Sequence, residues 1–348
     1  MYYAGIDYHK RYSVVSIQDE SGKIVLERQV TDNAPHVFEE VLREPKGPVA
    51  VVFECGLNWS WLYEVLEGIR EIKSITVANP YKVRLIAEAQ IKTDKLDARK
   101  LAMLLRLGVI PSCHIPDRRT RDRKEVLRQR AYWVRQRTGI RNRIHKIIGK
   151  QHGLQMPQVS DLFGKKGKEA LQKAVLPEPD AMLLKQNLTM LEQLDEVIKK
   201  DEGQIRQDGQ PDRAVEVLSS LPGVGLIVGS IMATETDGIK RFCRSERYVA
   251  YAGLAPTTHS SGGKTYQGRM LWQCNKWLKW AFIEAAWVAV GCSAYFGGLY
   301  RHHRERGKKA NTAITIVARR LCRIAYQLLS ENRCYEERSF SPAALVKG

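Results

Sequence analysis

The spacing of apolar residues changes character along the chain. In the first eighty residues apolar positions come in short runs and alternations, the period of strands. Tyr2–Ile6 is such a run and ends at Asp7. Tyr12–Ile17 and Lys23–Val30 are β-branched segments separated by the turn signal Asp19-Glu20-Ser21-Gly22, so three antiparallel strands are predicted. Asn33-Ala34-Pro35 opens a helical pattern over Val37–Arg43. Val49–Phe53 is unbroken in its apolar character, as a central strand covered on both faces should be, and it ends at Glu54. Asn58–Ile72 reads as an amphipathic helix, Ser74–Val77 as a strand stopped by Asn79-Pro80, and Asp94–Leu107 as a further helix.

Beyond that point apolar residues recur at three- and four-residue steps. Leu127, Ala131, Val134, Ile140, Ile144, Ile147 and Ile148 form a seam on a helix spanning residues 118–150. Residues 151–180, with Gly153, Pro157, Gly164, Gly167, Pro177 and Pro179, read as a loosely structured connector. Asp180 can cap the next helix, where Leu184, Leu188, Leu191, Leu194, Ile198 and Ile205 give a heptad-like stripe. That stripe serves intrachain packing or a dimer contact equally well. Leu221-Pro222-Gly223-Val224-Gly225 separates two helical patterns, Ala214–Ser220 and Leu226–Thr234, as the turn of a helix-hairpin-helix. Ser245–Gly253 is helical and leads into the hydroxyl- and glycine-rich stretch 253–264, which by composition is a flexible loop. Met270–Val290 and Asn311–Leu329 are predicted helices around a basic loop, Arg301 to Lys309. The domains expected are 1–152 with the basic helix, 153–206 as connector and coiled coil, 207–335, and a tail over 336–348.

Charge sharpens this picture. The chain has 348 residues and a formal net charge of +18, which points to a polyanionic partner, nucleic acid before membrane. Residues 118–150 hold thirteen Lys or Arg against Asp122 and Glu125. Arg128, Arg135, Arg141 and Lys146 are the cations expected on phosphate, and such contacts weaken steeply with salt. Gly223 and Gly225 would let backbone amides approach a phosphate at a helix start. Seven cysteines without a C-x-x-C pair argue against a disulfide framework or zinc site and fit a reducing cytoplasm. The first residues have no signal pattern. The apolar run Trp280–Tyr300 contains Glu284 and many small residues, so it reads as a buried helix rather than a membrane span.

The candidate chemistry lies with four acids. Asp94 and Asp97 are three apart and share a face of their helix. Asp7 and Glu54 each end a predicted strand. The order β-β-β-α-β-α-β-α is that of the RNase H-like fold, which holds divalent metals on a phosphate. Together the four carboxylates suit magnesium, a hard cation that prefers oxygen ligands. Taken singly, each acid is better explained by a turn or a solvated face; it is the four together that favour a metal. Farther on, a serine of the pair Ser260-Ser261 lies next to two glycines with Lys264, Arg269 and His259 close by in sequence, a setting that suits a nucleophile toward phosphate, although composition alone favours a flexible linker.

The motifs G-I-D at 5–7, F-E-C-G at 53–56 and K-T-D-K-L-D-A-R at 92–99 resemble those of the DEDD-type insertion-sequence transposases, bridge-RNA-guided recombinases with a RuvC-like first domain. L-P-G-V-G at 221–225, Y-A-G-L-A-P at 251–256, S-S-G-G at 260–263 and N-K-W-L-K-W-A at 275–281 extend the likeness to the second half. The resemblance implies a RuvC-like N-terminal domain and a mainly α-helical serine transposase domain. It implies that Asp7, Glu54, Asp94 and Asp97 bind Mg2+ and that Ser261, or its neighbour Ser260, attacks DNA. It further implies a bridge-type guide RNA, donor and target double-stranded DNA, a dimer-to-tetramer assembly and a prokaryotic, nucleoid-associated setting. Trp272 and Cys274 stand where the family usually has Lys and Gly. The alternative from the residues alone is a RuvC-like nuclease or junction resolvase in which the acids act without a serine. A third reading is a non-catalytic nucleic-acid scaffold.

Overall fold

The computed structural model describes residues 1–86, 93–151, 159, 161–208, 212–337 and 339–340. It divides into two units, Met1–Pro116 and Asp117–Gly348. Lys92 of the acidic motif, Gly153 and Pro157 of the connector, and residues 341–348 of the tail lie outside the described residues. The boundary between the units precedes the basic helix, which packs within the second unit, whereas the break expected from the sequence follows that helix at 152.

The first unit is built on a five-stranded sheet in the order β3-β2-β1-β4-β5. Its strands are β1 (Tyr2–Tyr8), β2 (Ser13–Gln18), β3 (Ile24–Val30), β4 (Val49–Glu54) and β5 (Ile72–Ala78). β1 pairs antiparallel with β2 and parallel with β4, and β4 pairs parallel with β5. This mixed α/β arrangement is the one expected of an RNase H-like domain. On one face, Phe38, Val41 and Leu42 of α1 (Pro35–Arg43) and Leu62 and Leu66 of α2 (Trp59–Glu67) pack on Ile6, Val51 and Phe53. On the other, Val83 of α3 (Pro80–Ile86) and Leu101 and Leu104 of α4 (Asp94–Arg106) meet Val52 and Ala78. Both faces are covered, which is why β4 is continuously apolar.

Two local expectations change here. The helix after Asn58 stops at Glu67 because Ile72 is already sheet, paired with Val49. Asn79-Pro80 starts a helix as well as ending a strand: Asn79 Oδ1 accepts the Lys82 amide at 3.1 Å, and proline is suited to the first helical turn.

Gly5 sets the position of α4. A Cβ there would lie 2.1 Å from the Ala98 carbonyl oxygen and 2.6 Å from the Ala102 nitrogen. Only a residue without a side chain lets the helix backbone come this close to the central strand. Thr93 then caps α4, its Oγ1 accepting the Leu96 amide at 3.3 Å, so Asp94 and Asp97 both fall in the first turn.

The second unit is mainly helical. The basic helix α5 (Arg118–Gly149) is capped by Asp117, whose carboxylate accepts the Thr120 amide. The connector carries a short helix, α6 (Lys165–Lys173), which composition did not foretell. α7 (Asp180–Asp208) runs back along α5: Lys150 pairs with Asp180, Arg137 with Asp195 and Arg130 with Glu202. Leu184, Leu188 and Leu191 of its stripe are buried with Ile144 and Ile147, so the stripe serves intrachain packing.

α8 (Arg213–Ser219) and α9 (Leu226–Thr236) form the expected helical hairpin, followed by a short 3-10 turn (Ile239–Arg241) and α10 (Ser245–Tyr251). They join α11 (Lys276–Cys292), α12 (Ala294–Glu305) and α13 (Ala310–Glu331) in one core that includes Tyr248, Phe282, Phe296 and Leu321. α11 and α12 break at Ser293 with a bend of 99°, and among the described residues no single helix is long and apolar enough to cross a membrane. The predicted basic loop from Arg301 begins as the end of α12. The first part of the tail is packed rather than free: Glu337 accepts from Ser293 Oγ at 2.7 Å, and the Phe340 ring lies 6.1 Å from that of Tyr295.

Between α10 and α11 the structure departs most from expectation. Residues read as a flexible loop form a two-stranded hairpin of β6 (Pro256–Ser261) and β7 (Lys264–Met270). Met270 therefore ends a strand, and α11 begins only at Lys276 after its Asn275 cap. Gly262 and Gly263, with φ of +56° and +76°, form the tight turn.

Candidate functional site

The parallel pairing of β1 with β4 ends at Ile6 and Phe53. Asp7 and Glu54 thus follow side by side at the carboxyl ends of two central strands, where ligands of open α/β sheets bind. Alternation puts Asp7 on the face of Gly5, which meets α4, and Glu54 on the face of Val52, which packs against Leu101 and Leu104. α4 presents its first turn to the same side. Asp7, His9 and Asp94 each bring a ligand atom to within 4.8 Å of the other two. His9 Nε2 lies 3.1 Å from Asp7 Oδ2 and 3.7 Å from Asp94 Oδ2, while the Tyr12 hydroxyl donates to Asp94 Oδ2 at 2.8 Å.

Burial pushes the Asp7 carboxyl above its ordinary value; His9 opposes this, and the charges of Asp94 and Asp97 add to it. Two described cations of the acidic motif turn to another carboxylate. Arg99 makes two hydrogen bonds to Glu27 of β3, and Lys95 Nζ lies 3.8 Å from the same carboxylate. Among the described residues, Lys100 turns toward the cluster, 3.4 Å from Asp97. The donor set, half-buried carboxylates that repel one another plus an imidazole, fits a divalent cation. Asp97 and Glu54 lie outside the tight triad, Asp97 near enough to act on the charge of Asp7. His9 was not anticipated, although a residue two past a strand-end acid shares its face.

In the second unit, Ser261 is exposed at the end of β6, opposite Lys264 in the backbone register. His259 and Ser261 are two apart and share a face of the hairpin; Ser260 points the other way. Arg269 is exposed on β7. Beside the cap of α11 lies Glu235, a carboxylate 3 % exposed on α9. Arg128 grips it with two hydrogen bonds, 2.9 and 3.1 Å, and Asn275 Nδ2 donates to it at 2.8 Å. Asn275 also caps α11 and donates its amide to the Tyr251 carbonyl. Cys274 is accommodated because its neighbour is Gly253, where a Cβ would lie 2.4 Å from the sulfur. Trp272 is 67 % exposed.

Comparison with known proteins matches both halves. A DEDD-type IS110 transposase family covers residues 4–151, and the family described as Transposase IS116/IS110/IS902 covers residues 215–301. The chain belongs to the DEDD-type insertion-sequence transposases. Over 95 % of its length it is 26 % identical to a protein of Pseudomonas aeruginosa named a probable family 20 transposase, of which it covers 97 %. It is 25 % identical, over 71 % of the chain and 75 % of the relative, to the transposase for insertion sequence element IS1328 of Yersinia enterocolitica.

The transposase's basic helix is less available than its charge suggests. Arg128, expected on phosphate, is bound by Glu235, and Arg123, Arg130 and Arg137 pair with Asp212, Glu202 and Asp195. Arg141 lies over the Phe163 ring, 4.9 Å from its centre. Arg135 and Lys146 are exposed, as a phosphate contact requires. Gly223 has a packing role: with φ of +79° it seats the turn on α11, where a Cβ would lie 2.3 Å from the Ala285 carbonyl oxygen. Gly225 is exposed at the start of α9.

Proposed function

We propose that this transposase recombines DNA by attack of Ser261 on a scissile phosphate held at Asp7, Glu54, Asp94 and Asp97. The observation that carries the reading is the convergence of strand-end and helix-start acids on one side of the sheet, with Asp7 and Asp94 in a single triad. A divalent cation bound there, Mg2+ in the first reading, would neutralise charge developing on the phosphate oxygens. The carboxylates hold and orient that site. The Ser261 Oγ–P bond forms as the bond from phosphorus to a deoxyribose oxygen breaks. The serine proton leaves to a base, for which His259 is placed on the same hairpin face, and the departing oxygen gains a proton. The phosphoserine ester keeps the energy of the broken bond, so a second deoxyribose hydroxyl can reseal the strand without a nucleotide cofactor.

The partners in this reading are donor and target double-stranded DNA and a bridge-type guide RNA. Arg135, Lys146, Arg269, Lys264 and the Gly225 amide provide contacts to their backbones. The assembly is a dimer to tetramer in which the acids of one subunit serve the serine of another. Net charge and the family relationship support a nucleic-acid partner.

The test is covalent trapping on DNA carrying the element's ends together with co-purified RNA. Wild type gives a protein–DNA adduct, and both Ser261→Ala and Asp97→Ala lose it. An Asp97→Ala variant with normal adducts would reject the coupling of acids to serine. The nuclease reading is favoured by one feature, a cluster of acids complete within a single unit. Cleavage that persists in Ser261→Ala would establish it.

A further inference from the structure

The four acids of the family pattern are all oxygen donors, but the tight triad has a nitrogen in it. We propose that His9 is a direct ligand through Nε2, and that this makes the site selective for Mn2+ over Mg2+. The inference rests on the reading of Asp7 and Asp94 as metal ligands and adds to it the identity of the ion.

Three observations carry it. Adjacent donors on an octahedral ion with bonds of 2.0–2.1 Å are about 3 Å apart, and His9 Nε2 is 3.1 and 3.7 Å from the Asp7 and Asp94 oxygens. One ion can therefore touch all three with small adjustments. The imidazole is also held in place. The His9 amide donates to the Tyr12 carbonyl at 3.1 Å, and its carbonyl accepts from Asn33 Nδ2 at 2.7 Å. Asn33 is itself fixed by the hydroxyl of buried Ser13, and the Tyr12 ring packs 4.7 Å from the imidazole. Such outer partners orient metal ligands, and Tyr12 serves both sides by donating to Asp94. Finally, the triad is open: His9 and Asp94 side chains are 40 % and 44 % exposed, leaving room for substrate oxygens or water. An imidazole adds little for Mg2+, which favours oxygen and dehydrates reluctantly, and adds more for first-row transition ions.

The experiment is Mn2+ and Mg2+ titration of the full chain without DNA, by calorimetry, with electron spin-echo spectroscopy of the bound Mn2+. Wild type should bind Mn2+ more tightly than Mg2+ and show 14N modulation from a coordinated imidazole. His9→Ala should lose the modulation and weaken Mn2+ by about ten- to a hundredfold, the scale of losing a metal's supporting partner, with Mg2+ changed far less. His9→Gln, which returns an amide oxygen and is checked for an unchanged melting curve, should narrow the preference between the ions. Mn2+ bound without 14N modulation, with affinity unchanged in His9→Ala but abolished in Asp94→Asn, would overturn the role of His9 while keeping the carboxylate site. Failure of wild type to bind either ion, or binding unaffected by Asp94→Asn, would overturn both.

Discussion

The acid cluster of the first unit and the basic helix of the second are both concentrations of like charge, yet they have opposite meanings. On α5, several cations have acids from neighbouring helices against them, Glu235, Glu202, Asp195 and Asp212 among them. At the end of β1 the acids face one another, the nearby Arg99 is turned away to Glu27, and burial keeps Asp7 above its usual value. Part of the first arrangement is spent on holding helices together. In the second, acids are gathered against one another, and the charges of Asp94 and Asp97 act on Asp7. Charge density along a sequence therefore does not identify a binding surface; the partners already supplied by the fold do.

The strongest way to break this contrast is Asp94→Asn. If the cluster exists to bind a cation, strand cleavage should fall by more than about a hundredfold, the scale of losing one electrostatic stabiliser, in a cleavage assay. Stability should hold or rise, because a repelling carboxylate is gone while the amide oxygen can still accept from Tyr12. Cleavage at the wild-type rate would mean that the acids are structural, like those facing α5.

The converse substitution is Glu235→Ala. It removes the acid from a pair with Arg128, leaving that cation uncompensated, and takes one of two acceptors from the Asn275 amide. A loss of about 2 kcal/mol in urea unfolding is expected, below that of a fully buried pair because the Arg128 side chain is 37 % exposed. Arg128→Ala should likewise act on stability. Arg135→Ala and Lys146→Ala sharpen the comparison from the other side. Neither should move stability by more than about 0.5 kcal/mol, the usual range for a surface change. Each should reduce the slope of log affinity against log salt by about 0.9 on duplex DNA. A salt slope altered by Arg128→Ala but not by Arg135→Ala would reverse the assignment.

How much of this was legible in the sequence follows from what each element buries. β1, β4 and α4 were readable because they face a core, and their terminal acids could be placed from the strand ends alone. The close seat of α4 on Gly5 lay in the G-I-D motif but shows only when helix and strand are together. The β6–β7 hairpin was read as a loop because an exposed two-stranded ribbon of Ser, Thr and Gly buries little and so leaves no apolar alternation. Arg128 and Gly223 were assigned to DNA from charge and turn chemistry, since Glu235 and Ala285 lie far from them in sequence. His9 was missed for the opposite reason. It sits two residues from Asp7, just past the end of β1, and carries no carboxylate to mark it beside the four acids.

The smallest expected effect tests whether the α5–α7 pairs are structural. Asp195 accepts from Lys168 at 3.0 Å and Arg137 at 3.3 Å. Burial pushes its carboxyl up, but the two cations outweigh this and hold it below the ordinary carboxylate value. A carboxyl depressed in the folded state stabilises above its unfolded value, near about 3.9, and loses that contribution as pH falls through the folded one. Asp195→Asn should therefore cost about 1 kcal/mol at pH 7 in urea melts, the usual net worth of such hydrogen bonds at a partly exposed site. The gap from wild type should hold down to mildly acidic pH and close only below about pH 4, where the wild-type carboxyl also begins to lose its charge. High salt should narrow it as well, because both cations are partly exposed. An effect of Asp195→Asn on DNA affinity larger than its effect on stability would instead show that these cations are shared with nucleic acid, and would bring the basic helix back toward the behaviour of the acid cluster.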